Sequence, residues 1–346
     1  MARWRALVRC GVAVLLAGSA VLVAAPASGA VRRPAIVGMG DSFVSGEGAG
    51  NYVAATNRRG NFCHRSRAAA VLHTTLPGIH DPARVNLACA GASTADVRLG
   101  GHRRFGEAPQ AEQLRAVARR YDVRLVVLTV GVNDIGYANL VYDCIVAYLG
   151  LARRCQDTWS PVIRRRLEAA VPRIAQNVRD IRRVLREAGY RSDDYTLVLQ
   201  SYASPVTGDI RYGTAGRGLL GCPVRDDDGN WAKNWVAGRF SDAFARIAAA
   251  QGVRYLDLAP ALRGREACAR GISRYQEWSR GVSVDLAAIR HGLGMNVLQQ
   301  SAHPNARGHA QFADCLSTFV ARGTRAAKCA RQADGNLAPV STPLAA

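Results

Sequence analysis

The chain has 346 residues, 49% of them apolar, and a formal net charge of +20. That supplies enough apolar surface for one sizeable core and about one large domain. The charge raises nucleic-acid binding, but the sequence argues against it: lysine stands only at Lys233 and Lys328, the arginines are spread along the chain, and no basic run is interleaved with aromatics. What the charge leaves open is loose attraction to anionic membrane or cell-wall polymer.

In chain order, residues 1–30 read as a secretory signal peptide. Arg3, Arg5 and Arg9 make a basic start, an apolar stretch covers residues 12–25, and small residues end in Ala27-Ser28-Gly29-Ala30. The stretch is short for a membrane anchor, which needs about 20 residues. Export and an extracellular location are therefore expected, and losing the three arginines leaves a mature charge of +17.

The mature domain, expected over residues 31–329, alternates strands and helices. Strands are expected at residues 35–40, 84–89, 125–130, 196–201 and 253–258, and 125–130 (LVVLTV) has the continuous apolar run of a strand buried on both faces. Helical patterns occupy residues 108–120, 162–188, 235–250 and 306–321. This order predicts a three-layer α/β/α sandwich around a mostly parallel five-stranded sheet. Residues 202–234 and 263–300 are too long for plain connections and are expected to carry substrate-facing structure. Residues 330–346 lack periodicity and read as a mobile tail.

Without the leader and its Cys10, eight cysteines remain: Cys63, Cys89, Cys144, Cys155, Cys222, Cys268, Cys315 and Cys329. An even count in an exported chain reads as disulfides, and no cysteine–histidine cluster has metal-site spacing. Sequential pairing is the simplest arrangement, but spacing alone leaves the connectivity open. Each bridge would contribute about 2–4 kcal/mol.

Four segments carry chemistry. Gly40-Asp41-Ser42 follows the first strand, Cys89-Ala90-Gly91-Ala92-Ser93 the second, and Gly131-Val132-Asn133-Asp134 the third; Ser301-Ala302-His303-Pro304-Asn305 runs into the last helix. In a parallel sheet the first three fall on one edge, where sites form. By itself Gly-Asp-Ser is also an ordinary helix cap. Asp41 reads as a turn or capping residue, Asp134 as the anchor of the Asn133 loop, and His309 as a packing residue. His64 reads as structural or at the pocket rim, and Ser45 as a rival serine without the strand-end position.

Taken together, the four segments resemble the SGNH (GDSL-type) hydrolase family, whose blocks contribute Ser, Gly, Asn and His in this order, over about residues 36–315. The residues 40–48 (GDSFVSGEG) and 61–66 (NFCHRS) are similar to its secreted, disulfide-bonded lipase and esterase branch. The resemblance implies Ser42 as nucleophile and His303 as its base. It also implies an oxyanion hole from the Ser42 and Gly91 backbone N–H groups and the Asn133 amide. No metal or organic cofactor is implied. Where most members place Asp, three residues before the histidine, this chain has Gln300, which carries no charge to steady an imidazolium. A main-chain carbonyl from residues 300–302, with Gln300 and Ser301 as the orienting candidates, is expected in its place. Asp285 or a loss of activity are the alternatives. With a carbonyl alone, activity should rise through an apparent pKa near 6.5.

The expected function is a secreted, monomeric serine esterase or lipase acting on carboxylic esters, fatty-acyl lipid esters by analogy. A carbohydrate acetylesterase, an acyltransferase on the same site, or a non-catalytic protein binding anionic polymer or membrane are the competing readings. One of Trp159, Trp231, Trp235 and Trp278 is expected to line an acyl pocket.

Overall fold

All five apolar runs form strands in the computed structural model, which describes residues 32–150, 153–283 and 298–344. The expected leader at residues 1–30, with Cys10, and the alternative acid Asp285 lie outside the described residues. The strands are β1 (Pro34–Gly40), β2 (Ala83–Asn86), β3 (Asp122–Thr129), β4 (Thr196–Gln200), β5 (Arg254–Asp257), β6 (Ser279–Arg280), β7 (His303–Pro304), β8 (Ala326–Arg331) and β9 (Leu337–Ser341). The helices are α1 (Ser42–Ser45), α2 (Ala70–His73), α3 (Thr94–Val97), α4 (Gln110–Arg120), α5 (Tyr137–Tyr148), α6 (Cys155–Glu187), α7 (Thr214–Arg217), α8 (Asp226–Trp231), α9 (Ala237–Gln251) and α10 (Ala306–Arg322).

Seven strands form the main sheet in the order β2-β1-β3-β4-β5-β8-β9, where five were expected. All neighbours pair in parallel except β8 and β9. The expected mobile tail is thereby corrected: β8 runs on to Arg331, and β9 adds an antiparallel edge strand that tolerates Pro339 because an edge leaves one side unpaired.

Helices α4, α6 and α9 pack side by side on one face, and α2 with α10 on the other, giving the three layers. Strand β3 is central because Leu125, Val126, Val127 and Leu128 bury both its faces. Helix α6 meets the core through Ile163, Leu167, Ala170, Ile174, Val178, Ile181 and Leu185, spaced three or four apart.

The disulfides run Cys63–Cys89, Cys144–Cys155, Cys222–Cys268 and Cys315–Cys329. The first fastens the loop after α1 to the chain leaving β2, beside Gly91. The last fastens α10 to β8, next to the sheet edge.

Candidate active site

Gly40, at the end of β1, has φ 129°, and a Cβ there would lie 1.8 Å from the Thr129 carbonyl oxygen, so only glycine lets the chain turn against β3. Gln110 holds the turn from both sides: the Gly40 N–H donates to its Oε1 at 2.7 Å, and its Nε2 donates to the Gly40 carbonyl at 2.7 Å. Asp41 then caps α1, its side chain accepting from the Phe43 N–H at 3.0 Å. Ser42 is the first helical residue, which leaves its backbone N–H without an intrahelical partner. Ser45 is buried, and its Oγ donates to the Ser42 carbonyl at 3.2 Å.

Asp41 is fully buried, and burial pushes its carboxyl up to about 7 against the opposing hydrogen bonds from Tyr202 and Phe43. The Tyr202 hydroxyl donates to Asp41 and accepts from the Val132 N–H at 3.2 Å. Tyr202 thus fixes the spacing between the Ser42 turn and the Asn133 loop.

The Asn133 loop is tied to the Gly91 segment as well. Asn133 Nδ2 donates to the Ala92 carbonyl at 2.9 Å. Asp134 accepts from the Thr94 N–H at 2.9 Å and from its hydroxyl at 2.6 Å, so the expected anchoring role matches its contacts. Gly91 has φ 73°. Neither the Ser42 nor the Gly91 backbone N–H has an acceptor among the described residues, and both residues border the same cavity as Asn133.

His303 arrives from the other side. It pairs with Arg280 in the short β6–β7 ladder, and the chain then enters α10 through Asn305, whose side chain accepts from the Arg307 and Gly308 N–H groups. Its Nε2 lies 2.8 Å from Ser42 Oγ, and its Nδ1 lies 2.8 Å from the Ser301 carbonyl oxygen. A carbonyl only accepts, so Nδ1 carries the proton and Nε2 is left to accept from the serine hydroxyl. The contact comes from the main chain of Ser301, within the expected 300–302 stretch. The Ser301 hydroxyl is engaged elsewhere, accepting from the Ser283 N–H at 2.9 Å. Ala302, with φ 55°, bends the backbone so that the Ser301 carbonyl turns back to the ring. The Tyr137 hydroxyl holds this bend by donating to the Ala302 carbonyl at 2.6 Å, and its ring meets His303 edge-on at 5.8 Å. Burial lowers the His303 pKa below 6.5, while the Glu47 carboxylate and the Ser301 carbonyl oppose that shift.

Glu47 was not singled out in the sequence. Its carboxylate is 0% exposed and accepts from His64 Nδ1 at 2.9 Å, the Tyr52 hydroxyl at 2.9 Å and Gln299 Nε2 at 2.9 Å. His64 is therefore a buried partner of Glu47 and stacks on Tyr52 at 4.5 Å. The signal was faint: the acid and the histidine stand 17 residues apart in a loop-rich stretch. His309 is buried against Phe312, with its pKa pushed down to about 4 by burial, and its place is in packing.

Two cavities meet at Ser42. One, of about 140 Å³, is walled by apolar side chains that include Phe43, Leu140, Ile145, Val206, Trp231 and Phe240. Residues of the long 202–234 and 263–300 connections line it, and of the four tryptophans considered only Trp231 does so among the described residues. The other, of about 370 Å³, opens beside Gly91, Arg104 and Asn133.

With the four segments gathered on one edge of the sheet, the chain has the SGNH hydrolase fold. A profile of the GDSL-like lipase/acylhydrolase family matches residues 39–311, and the chain belongs to that family. Lipase 1 of Streptomyces coelicolor is 34% identical over 137 residues, 38% of this chain and 43% of that protein. The chain thus matches less than half the length of this curated relative. Among solved structures, phospholipase A1 from Streptomyces albidoflavus NA297 is similar in fold, with a TM-score of 0.51 at 22% identity, covering 81% of this chain and 95% of that one.

Proposed function

We propose that the protein is a secreted carboxylic ester hydrolase acting on fatty-acyl esters through Ser42 and His303. The observation that carries this reading is the 2.8 Å approach of His303 Nε2 to Ser42 Oγ, with the ring set by the Ser301 carbonyl. Ser42 Oγ attacks the ester carbonyl carbon as its proton passes to Nε2. The oxyanion forms against the Ser42 and Gly91 N–H groups and the Asn133 amide. The C–O bond to the alcohol then breaks, and the alcohol takes the proton from Nε2. Water, deprotonated by the same nitrogen, attacks the acyl-enzyme; the acyl bond to Ser42 Oγ breaks, Oγ takes the proton back from Nε2, and the acid leaves. The apolar cavity favours a fatty-acyl chain over the single methyl of an acetyl group. The paired cysteines and the leader-like start support export.

Hydrolysis of a p-nitrophenyl ester series from acetate to palmitate tests this reading. The expected profile favours acyl chains longer than acetate. Activity confined to acetate would turn the assignment to an acetylesterase, and no activity in folded, oxidised protein would favour a binding protein.

The pH profile adds a second expectation. Neutral imidazole is the active base, and burial lowers its pKa, so the acidic limb of kcat should fall below 6.5. Glu47 opposes that shift with negative charge and steadies the imidazolium. Glu47→Gln should therefore move the limb to still lower pH and reduce kcat roughly tenfold, about 1.4 kcal/mol. A limb that stays in place or moves upward would remove Glu47 from this role.

A further inference from the structure

The cavity of about 370 Å³ beside Ser42 holds a guanidinium with no carboxylate at ion-pair distance among the described residues. Arg104 is half-buried. Its Nε donates to the Ala90 carbonyl at 2.9 Å, and its guanidinium lies over the Phe105 ring at 4.9 Å. Glu107, the acid nearest in sequence, is occupied elsewhere: both its oxygens accept from Arg65, and Asn61 donates to it as well. Asp96, which acts on Arg104 only through its charge, accepts from the N–H and hydroxyl of Ser93. Among the described residues no acceptor meets the Arg104 Nη groups, which leaves a cationic face with N–H donors toward the cavity.

That face borders the cavity that Ser42, Gly91 and Asn133 also line. A Cβ added at Gly91 would meet Arg104 Nη2 at 2.3 Å, so the guanidinium lies against the backbone whose N–H borders Ser42. On the proposed hydrolase reading the acyl chain takes the apolar cavity, and the second cavity, which also meets Ser42 and contains Arg104, is left for the alcohol. A partly desolvated guanidinium is stabilised by an oxyanion that accepts two parallel N–H bonds.

We propose that Arg104 forms a subsite for an oxyanion, phosphate or carboxylate, carried on the leaving alcohol, so that the enzyme prefers anionic esters to neutral ones. This rests on the hydrolase reading for its orientation, but binding can be measured without turnover. In Ser42→Ala protein, calorimetric titration with sn-glycerol 3-phosphate should show binding that glycerol lacks. Adding Arg104→Gln should weaken it about 10–100-fold, with Arg104→Lys in between. Titration with glycerate separates a carboxylate from a phosphate preference. Binding of both anions unchanged by Arg104→Gln would overturn the proposal. With Ser42 intact, kcat/KM for 1-acyl-sn-glycerol 3-phosphate should fall about 10–100-fold in Arg104→Gln, while a neutral monoacylglycerol of the same acyl chain changes less than about threefold. Equal losses on both esters would overturn the proposal and assign Arg104 to supporting the Gly91 backbone. Arg104-dependent anion binding by a protein that hydrolyses neither ester would instead sink the hydrolase reading and leave the anion subsite standing.

Discussion

Replacing His303 by alanine should lower kcat for ester hydrolysis by about 10⁴–10⁶-fold, the scale seen when a base acting with a serine nucleophile is removed. The geometry explains the size. Nε2 is the proton acceptor 2.8 Å from Ser42 Oγ, and the hydrogen bond at Nδ1 fixes both tautomer and ring orientation. Without the ring, Ser42 keeps its proton and the leaving alcohol has no proton donor. The effect should not add to that of Ser42→Ala, because the two side chains act as one unit. Steady-state rates on one ester for both single variants and the double variant measure this. A loss below about tenfold in His303→Ala would mean that another group serves as base.

Asn133→Ala is the second large effect: about 10²–10³-fold in kcat with KM little changed. The amide contributes where charge develops, so its loss raises the transition state more than the bound ester. The variant also loses the side chain's bond to the Ala92 carbonyl, but Asp134 on Thr94 and Tyr202 on Val132 still hold the loop, so it should survive removal of the side chain. Thermal unfolding of the variant separates the two cases. A rate loss with an unchanged midpoint fits the oxyanion role, whereas a lowered midpoint with a matching rise in KM would reassign Asn133 to structure.

Much of the sheet was legible because its inner strands are short apolar runs with no competing pattern, LVVLTV above all. The two strands missed are of another kind. Strand β8 carries Lys328 and Arg331 among alanines, and β9 is an edge strand with Pro339, so neither shows alternation or a buried run. Helix α5 escaped for a different reason. Its apolar residues Val141, Cys144 and Ile145 face a cavity rather than the core, which removes the amphipathic stripe by which a helix is read.

The site was legible in part. Ser42, Gly91, Asn133 and His303 were marked by four strand-linked segments, and the structure brings them together. The charge beside His303 was not. Gln300 announced a missing acid, but that Glu47 lies within electrostatic reach depends on how the α1 loop folds over β7, and Gly48 closes that approach: a Cβ there would lie 2.8 Å from His303 Cβ. Arg104 was one arginine among many, and that no carboxylate pairs with it among the described residues shows only once Glu107 is seen to belong to Arg65.

The most direct test of the Ser42–His303 assignment is reaction of the folded, oxidised protein with a fluorophosphonate, followed by peptide mapping. One adduct is expected, on Ser42, forming at a rate that rises with pH through a midpoint below 6.5 and strongly slowed in His303→Ala. An unmodified Ser42, or an adduct formed as quickly without His303, would contradict it.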